Sequence, residues 1–344
     1  MKALILREYN SLVWEDVDTP VCGANDVLIK VEACAVCGSD VHGMTGSTGR
    51  RLPPIIMGHE AAGVIAECGS NVDNYKVGER VTFDSTVSCN TCEHCTAGKT
   101  NLCDARKVLG VSCVEYRMDG AFAEYVVVPA HTLYKLPDNV SFVQASMIEP
   151  LSVAYHAITR TEIPYDGTAV VVGVGTIGIL TVQVLHTLGV SNIIAVDIDA
   201  DKLAFALQHG ANHAVNSNEP NATDQIKKLT AKGEGVDVCY EATGLDVTVN
   251  LGLAVVKKGG KMVLIGNVAP IVELPLQWVV AREISLFGSC ISAGEYPTCL
   301  DLIAKGKVDV DSIISKVVPM AEGNKWIHAV AKGEQGLTKI VMIP

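Results

Sequence analysis

The sequence predicts an α/β protein of two parts: a mainly-β, partly open barrel-like domain and a doubly wound parallel-sheet domain. Three observations carry this. The first half of the 344 residues reads as short apolar strands broken by Gly, Pro and Asn turns. From about residue 152 the pattern becomes apolar strand, glycine turn and helix in alternation. Six strands can be counted in that second part, the number a full dinucleotide-binding sheet uses.

In chain order, KALIL (2–6), DVLIKVEA (26–33), AAGVIAEC (61–68), GERVTF (78–83) and FAEYVVV (122–128) have strand lengths and turn-forming neighbours, and belong to the first domain. TAVVV (168–172) is a wholly apolar run, as buried parallel strands are. The helix TIGILTVQVLHTLG (176–189), the strand in SNIIAVDID (191–199) and the helix DKLAFALQHG (201–210) follow it. HAV (213–215), VDVCYEA (236–242), KMVLIG (261–266) and ISLFG (284–288) complete the six strands. A helix over 296–304 and the strand KIVMI (339–343) are expected to return to the first domain. The expected division is therefore 1–151 with 291–344, and 152–290.

With 49% hydrophobic and 19% charged residues the chain can bury a substantial core. A net charge of -11 with no Lys/Arg run excludes a phosphate-tracking nucleic-acid binder. The apolar run in MKALILREYN is too short for a signal peptide, and no stretch approaches the roughly 18 apolar residues of a membrane span. Twelve cysteines without an export signal point to a reducing compartment, the cytoplasm.

Four of those cysteines stand together in CNTCEHCTAGKTNLC (89–103). The CxxC spacing favours a tetrahedral Zn2+ site over disulfides. Four thiolates close the coordination shell, so Cys89, Cys92, Cys95 and Cys103 read as structural ligands, with His94 solvated. Residues 84–107 contain few large apolar side chains, so the metal does the folding a core does elsewhere.

GVGTIG (173–178) matches GxGxxG, a weak signal alone in a chain with 31 glycines, but it follows a strand and opens a helix. Gly173 then makes the tight turn, Gly175 admits a pyrophosphate and Gly178 allows close helix–strand packing. Thr176 and Ile177 begin the helix whose free N–H groups face the phosphates. Asp197 ends the next strand, where a carboxylate accepts from an adenosine ribose and repels a 2′-phosphate, which favours NAD over NADP. Lys202 is placed to reach the ribose edge.

Cys37 in CAVCGSDVH, His59 and Glu60 in IMGHEAAG, and Glu149 in SMIEPLSV are further potential ligands, each with an ordinary explanation when taken alone. Together with the cysteine loop and the glycine motif they make the whole chain resemble the zinc-dependent medium-chain alcohol and polyol dehydrogenases. In that family a CGxD segment, a GHE segment, a four-cysteine loop and GxGxxG occur in this order. The resemblance implies a GroES-like domain and a Rossmann domain, and two Zn2+ per subunit, one catalytic and one structural. It implies Cys37 and His59 as catalytic zinc ligands with a carboxylate from Glu60 or Glu149. Ser39 and His42 would relay a proton, and Thr243 and Ile265 would line the NAD site.

The implied reaction transfers hydride from a metal-polarised alcohol to NAD, and Glu149 before Pro150 looks like the sorbitol, threonine and galactitol-phosphate branch. Sorbitol dehydrogenases, however, carry an aromatic residue where Gly43 stands, and an Arg–Tyr pair where this chain has FGSCISAGEY. The expected substrate is a small alcohol, a polyol or polyol phosphate; 2,3-butanediol and threonine are the enzyme alternatives, and an NAD-binding regulatory protein the non-enzyme one. Arg50, Arg51, Lys107 and Arg117 are the candidates to meet a substrate anion. A homodimer or homotetramer is implied by the same resemblance, with neither nucleic acid nor membrane as a partner.

Overall fold

The computed structural model describes residues 1–344, which form two compact units. One comprises Met1–Glu149, Tyr296–Gly306 and Val310–Pro344; the other comprises Pro150–Glu295 and Lys307–Asp309.

In the first unit the strand Asp26–Ala35 is the organising element of a seven-stranded sheet. Its ten residues are long enough to take three antiparallel partners: Glu60–Cys68, Tyr125–Pro129 and Lys339–Ile343. Register at its C-terminal end matters most, because Ala35 pairs with Glu60 on one side and with Val341 on the other. That register brings Glu60 and Lys339 beside the segment that runs on into Cys37. Leu4, Ile29, Ile65, Phe83, Phe122 and Ile327 lie in the apolar core of this unit.

The second unit is a six-stranded parallel sheet in the order His213–Asn216, Asn192–Asp197, Thr168–Val172, Val236–Glu241, Val256–Leu264, Ser285–Gly288. This is the 3-2-1-4-5-6 order of a doubly wound dinucleotide-binding fold. All five residues of Thr168–Val172 are buried, as expected of a central strand whose last four residues are apolar. Residues 178–185 of the helix Thr176–Thr187 are also buried. No helix is long and apolar enough to cross a membrane.

One element differs from the sequence expectation, and one could not be read from it. The fifth parallel strand begins at Val256, five residues before KMVLIG, through a KKGG stretch that reads as a turn. The segment around Glu149-Pro150 opens the helix Ile148–Thr159. Proline is tolerated in a first helical turn because the N–H it lacks has no partner there.

Candidate metal centres and nucleotide site

Cys37 caps the N-terminus of the seven-residue helix Gly38–Met44, its Sγ accepting from the Ser39 N–H at 3.5 Å. Gly58, at φ +90, makes the turn into the strand Glu60–Cys68, and a Cβ there would fall 2.4 Å from the Phe122 ring. This delivers His59 and Glu60 to Cys37, so that one ligand atom from each lies within 4.8 Å of the other two. His59 and Glu60 are buried, and Glu60 Oε1 has no hydrogen-bond partner, as expected of a carboxylate oxygen aimed at a cation.

Asp40, fully buried, is the hub behind this cluster. It accepts from the Cys37 N–H at 3.2 Å, lies 3.4 Å from His59 Nδ1, and accepts from Arg51 Nη2 at 3.4 Å. Burial alone would raise the Asp40 carboxyl, but His59 and Arg51 outweigh it and hold it down to about 2. Burial opposes a proton on His59, yet Asp40 and Cys37 raise it well above its usual range. Surroundings that favour a positive charge on that ring equally favour a divalent cation bound to it.

Glu60 Oε2 is ion-paired with Lys339, and both side chains are buried. Burial would lower the Lys339 ammonium, but Glu60 and Cys37 more than offset it. Glu149, in the first turn of Ile148–Thr159, lies outside the three-ligand group. Burial pushes its carboxyl up to about 7, opposed by His59 and reinforced by Glu60, which places it within electrostatic reach of the site. Ser39 Oγ is 3.5 Å from His59 Nε2, while His42 lies exposed on the same helix, three residues on.

The four cysteines of the loop converge as a second centre. Sγ of Cys95 lies 3.5 Å from that of Cys92 and 4.0 Å from that of Cys89. For Zn–S bonds of about 2.3 Å a tetrahedron has S–S edges of ~3.8 Å, so these spacings fit a shared Zn2+ and not disulfides. Thiols this close compete for charge. Backbone N–H groups of Thr91 and Cys92 draw Cys89 down to about 6, whereas desolvation and the neighbouring sulfurs push Cys95 up to about 12. A dication stabilises all four as thiolates. His94 stands outside the cluster, half-exposed, 4.0 Å from Asp104.

In the second unit Gly173, at φ +85, turns the chain out of Thr168–Val172, and Gly175 caps the helix Thr176–Thr187. A Cβ on Gly178 would sit 1.9 Å from the Gly173 carbonyl oxygen, a backbone contact that cannot yield. Gly178→Ala is accordingly expected to weaken NAD binding ~10-fold or more through displacement of the turn, measurable by NADH fluorescence titration. An unchanged Kd would show that the turn has room.

Asp197 accepts from the Val174 N–H at 2.8 Å and so ties down the glycine turn. Its other oxygen accepts from Ile198 and Asp199. Lys202 lies in the first turn of Ala200–Gln208, its N–H donating to Asp199. Thr243 and Gly244 donate their N–H groups to the fully buried Glu241, and Ile265 donates to the Glu241 carbonyl. The residues that sequence reasoning left without a role are Asp40, Lys339 and Glu241. A lysine opening the otherwise apolar KIVMI was the available signal for one of them.

Of the four cations weighed against a substrate anion, Arg51 is buried on Asp40, Arg117 stands 3.7 Å from Asp119, and Arg50 and Lys107 are exposed. Gly43 is what leaves room for Arg51: a Cβ there would fall 2.2 Å from Arg51 Cγ.

Comparison with known proteins places these sites in a family. Residues 23–138 match the alcohol dehydrogenase GroES-like domain, and residues 176–305 match the zinc-binding dehydrogenase domain. Sorbitol dehydrogenase of Bacillus subtilis (strain 168) is 33% identical over 349 residues, covering 100% of this chain and 97% of that protein. A zinc-binding dehydrogenase of Sinorhizobium meliloti 1021, solved bound to NADP, superposes with a TM-score of 0.91 at 32% identity, covering 100% of this chain and 99% of the other. Galactitol-1-phosphate dehydrogenase of Escherichia coli gives 0.91 at 25% identity, with 100% of both chains covered. With a four-cysteine structural zinc site, a Cys/His/Glu catalytic zinc site and an NAD fold present throughout its length, the chain belongs to the zinc-dependent medium-chain alcohol and polyol dehydrogenases.

Proposed function

We propose that this enzyme oxidises a secondary alcohol of a polyol to the ketone with NAD as hydride acceptor. The observation that carries the reading is the convergence of Cys37, His59 and Glu60, a mixed thiolate, imidazole and carboxylate set that suits a zinc with an open position. Bound there, zinc polarises the substrate hydroxyl and lowers its pKa. Cys37, His59 and Glu60 would hold the ion, with Asp40 beside Nδ1 of His59 to orient its ring. Ser39, beside His59 Nε2, takes the hydroxyl proton and passes it towards solvent and His42. With NAD bound, the nicotinamide would accept the hydride from the substrate carbon, so ketone, NADH and one proton would be the products.

Sequestration of Arg51 by Asp40 and the closeness of Arg117 to Asp119 remove two of the four candidate cations from substrate binding, which supports a neutral polyol over a polyol phosphate. Asp197 supports NAD over NADP by like-charge repulsion with a 2′-phosphate. Asp197→Ser is expected to raise the NADP:NAD ratio of kcat/KM by ~100-fold, and an unchanged ratio would count against that role.

The twelve cysteines suit a reducing cytoplasm. Self-association through the open sheet edge Ser285–Gly288 is supported by the exposed Leu276, Trp278 and Val280 close by in sequence. Following NADH absorbance with sorbitol, galactitol, galactitol 1-phosphate, 2,3-butanediol and threonine tests the substrate. A far higher kcat/KM for a neutral polyol is the expected result; preference for the phosphate, the diol or threonine would overturn it.

A further inference from the structure

We infer that Gly43 and Arg51 form a single device that positions Asp40 and, through it, the metal ligand His59; the inference rests on the zinc-site reading above. Arg51 is 5% exposed, and its partner Asp40 is 0% exposed. A buried carboxylate needs a compensating charge, and Arg51 supplies it through Nη2. The guanidinium is not held by an ideal network. The Nη2 contact to Asp40 is 3.4 Å long, Nη1 donates to the Arg50 carbonyl at 3.0 Å, and Nε is buried with no partner. The place of this side chain is therefore set largely by the space it occupies.

Gly43 provides that space. It is the penultimate residue of the helix Gly38–Met44, and no positive φ requires glycine there. A Cβ at this position would stand 2.2 Å from Arg51 Cγ, 3.2 Å from its Cβ and 3.3 Å from its Cδ. Those are the first three carbons of the arginine stem, so no small rotation at the far end relieves the clash. Packing accounts for the glycine, and the group packed against it is the cation that compensates Asp40.

The consequence lies at the metal. Asp40 meets His59 Nδ1 on one side and the Cys37 N–H on another, so it touches the surroundings of two of the three ligands. With Arg51 in place, Asp40 orients the imidazole without adding an uncompensated negative charge behind it. Lys339 does the same for Glu60, and its buried ammonium also lies within electrostatic reach of the Cys37 sulfur. A metal in these surroundings keeps most of its positive charge and polarises an alcohol strongly. Arg51 is in this sense a positioning residue, acting through Asp40.

The test compares Gly43→Ala, Arg51→Gln and the double variant, using steady-state kinetics and the visible spectrum of enzyme loaded with Co2+ at the catalytic site. Gly43→Ala keeps the guanidinium charge and displaces only its stem, so it remains informative should Arg51→Gln fold poorly. Each single change is expected to lower kcat by ~10–100-fold with KM for NAD unchanged, and to shift the cobalt thiolate and d–d bands. The double variant is expected to be no worse than Arg51→Gln alone, because the two act as one unit. Wild-type bands and kcat in Gly43→Ala, or losses that multiply in the double variant, would overturn the inference. Shifted bands without turnover on any polyol would instead sink the substrate reading and leave the positioning role standing.

Discussion

Replacing Cys37 with serine is expected to abolish turnover, with a fall of ~10³-fold or more, while the protein stays folded and keeps one of its two zinc ions. The magnitude follows from the role: several kcal/mol of charge stabilisation depend on the metal, and each 1.4 kcal/mol or so is a factor of ten. Cys37 supplies the only sulfur of its cluster, with His59 and Glu60 as the other ligands. Serine keeps the helix cap through its hydroxyl, so the helix Gly38–Met44 has a reason to survive while the thiolate is lost. The second zinc is held by four other cysteines in a separate loop and does not depend on this change. Metal analysis should therefore read one zinc per subunit where the wild type reads two, with an unchanged far-UV spectrum. Wild-type turnover in this variant would remove the catalytic assignment.

Cys92→Ser should do the opposite. Cys92 caps the four-residue helix Glu93–Thr96, which has no buried residue of its own, so the lobe has little to hold it but its metal. Losing one thiolate of four opens the coordination shell and couples metal loss to local unfolding. A destabilisation of about 3 kcal/mol would lower the melting temperature by roughly 6–12 °C. Expression should fall, and the zinc count should drop to one while the Cys37 site keeps its ion. Normal melting with the metal gone would show that the lobe folds without it.

The parts of the site legible in the sequence are those in which local spacing dictates local geometry. Cys89, Cys92, Cys95 and Cys103 lie within fifteen residues, and their sulfurs meet without help from the rest of the chain. Gly173 and Gly178 announce the nucleotide turn because one needs a positive φ and the other a bare Cα against a carbonyl. The parallel strands were readable as apolar runs, although the start of the fifth at Val256 was hidden by KKGG, whose pairing only the neighbouring strand supplies.

What sequence spacing could not give is long-range pairing. Lys339 reaches Glu60 across 279 positions only because Asp26–Ala35 takes both their strands as neighbours. The CGSD motif displayed Asp40, but its contacts with Arg51 and His59 depend on how a helix and two strand entries meet. Arg51 was visible only as a positive charge; its burial, and the reason for Gly43, needed side-chain volumes. The meeting of Glu60 with Cys37 and His59 likewise depends on the register that sets Glu60 beside Ala35.

Turnover is expected to depend on one of two zinc ions, the one that Cys37, His59 and Glu60 would hold. The most direct measurement is NADH formation from a polyol during stepwise chelation, with the zinc content of each sample read in parallel. Activity should vanish with the first equivalent removed, while thermal stability holds, and return when one equivalent of Zn2+ is added back. Full activity in protein that has lost that equivalent, or loss of activity only when the four-cysteine lobe is stripped and the protein unfolds, would contradict the account.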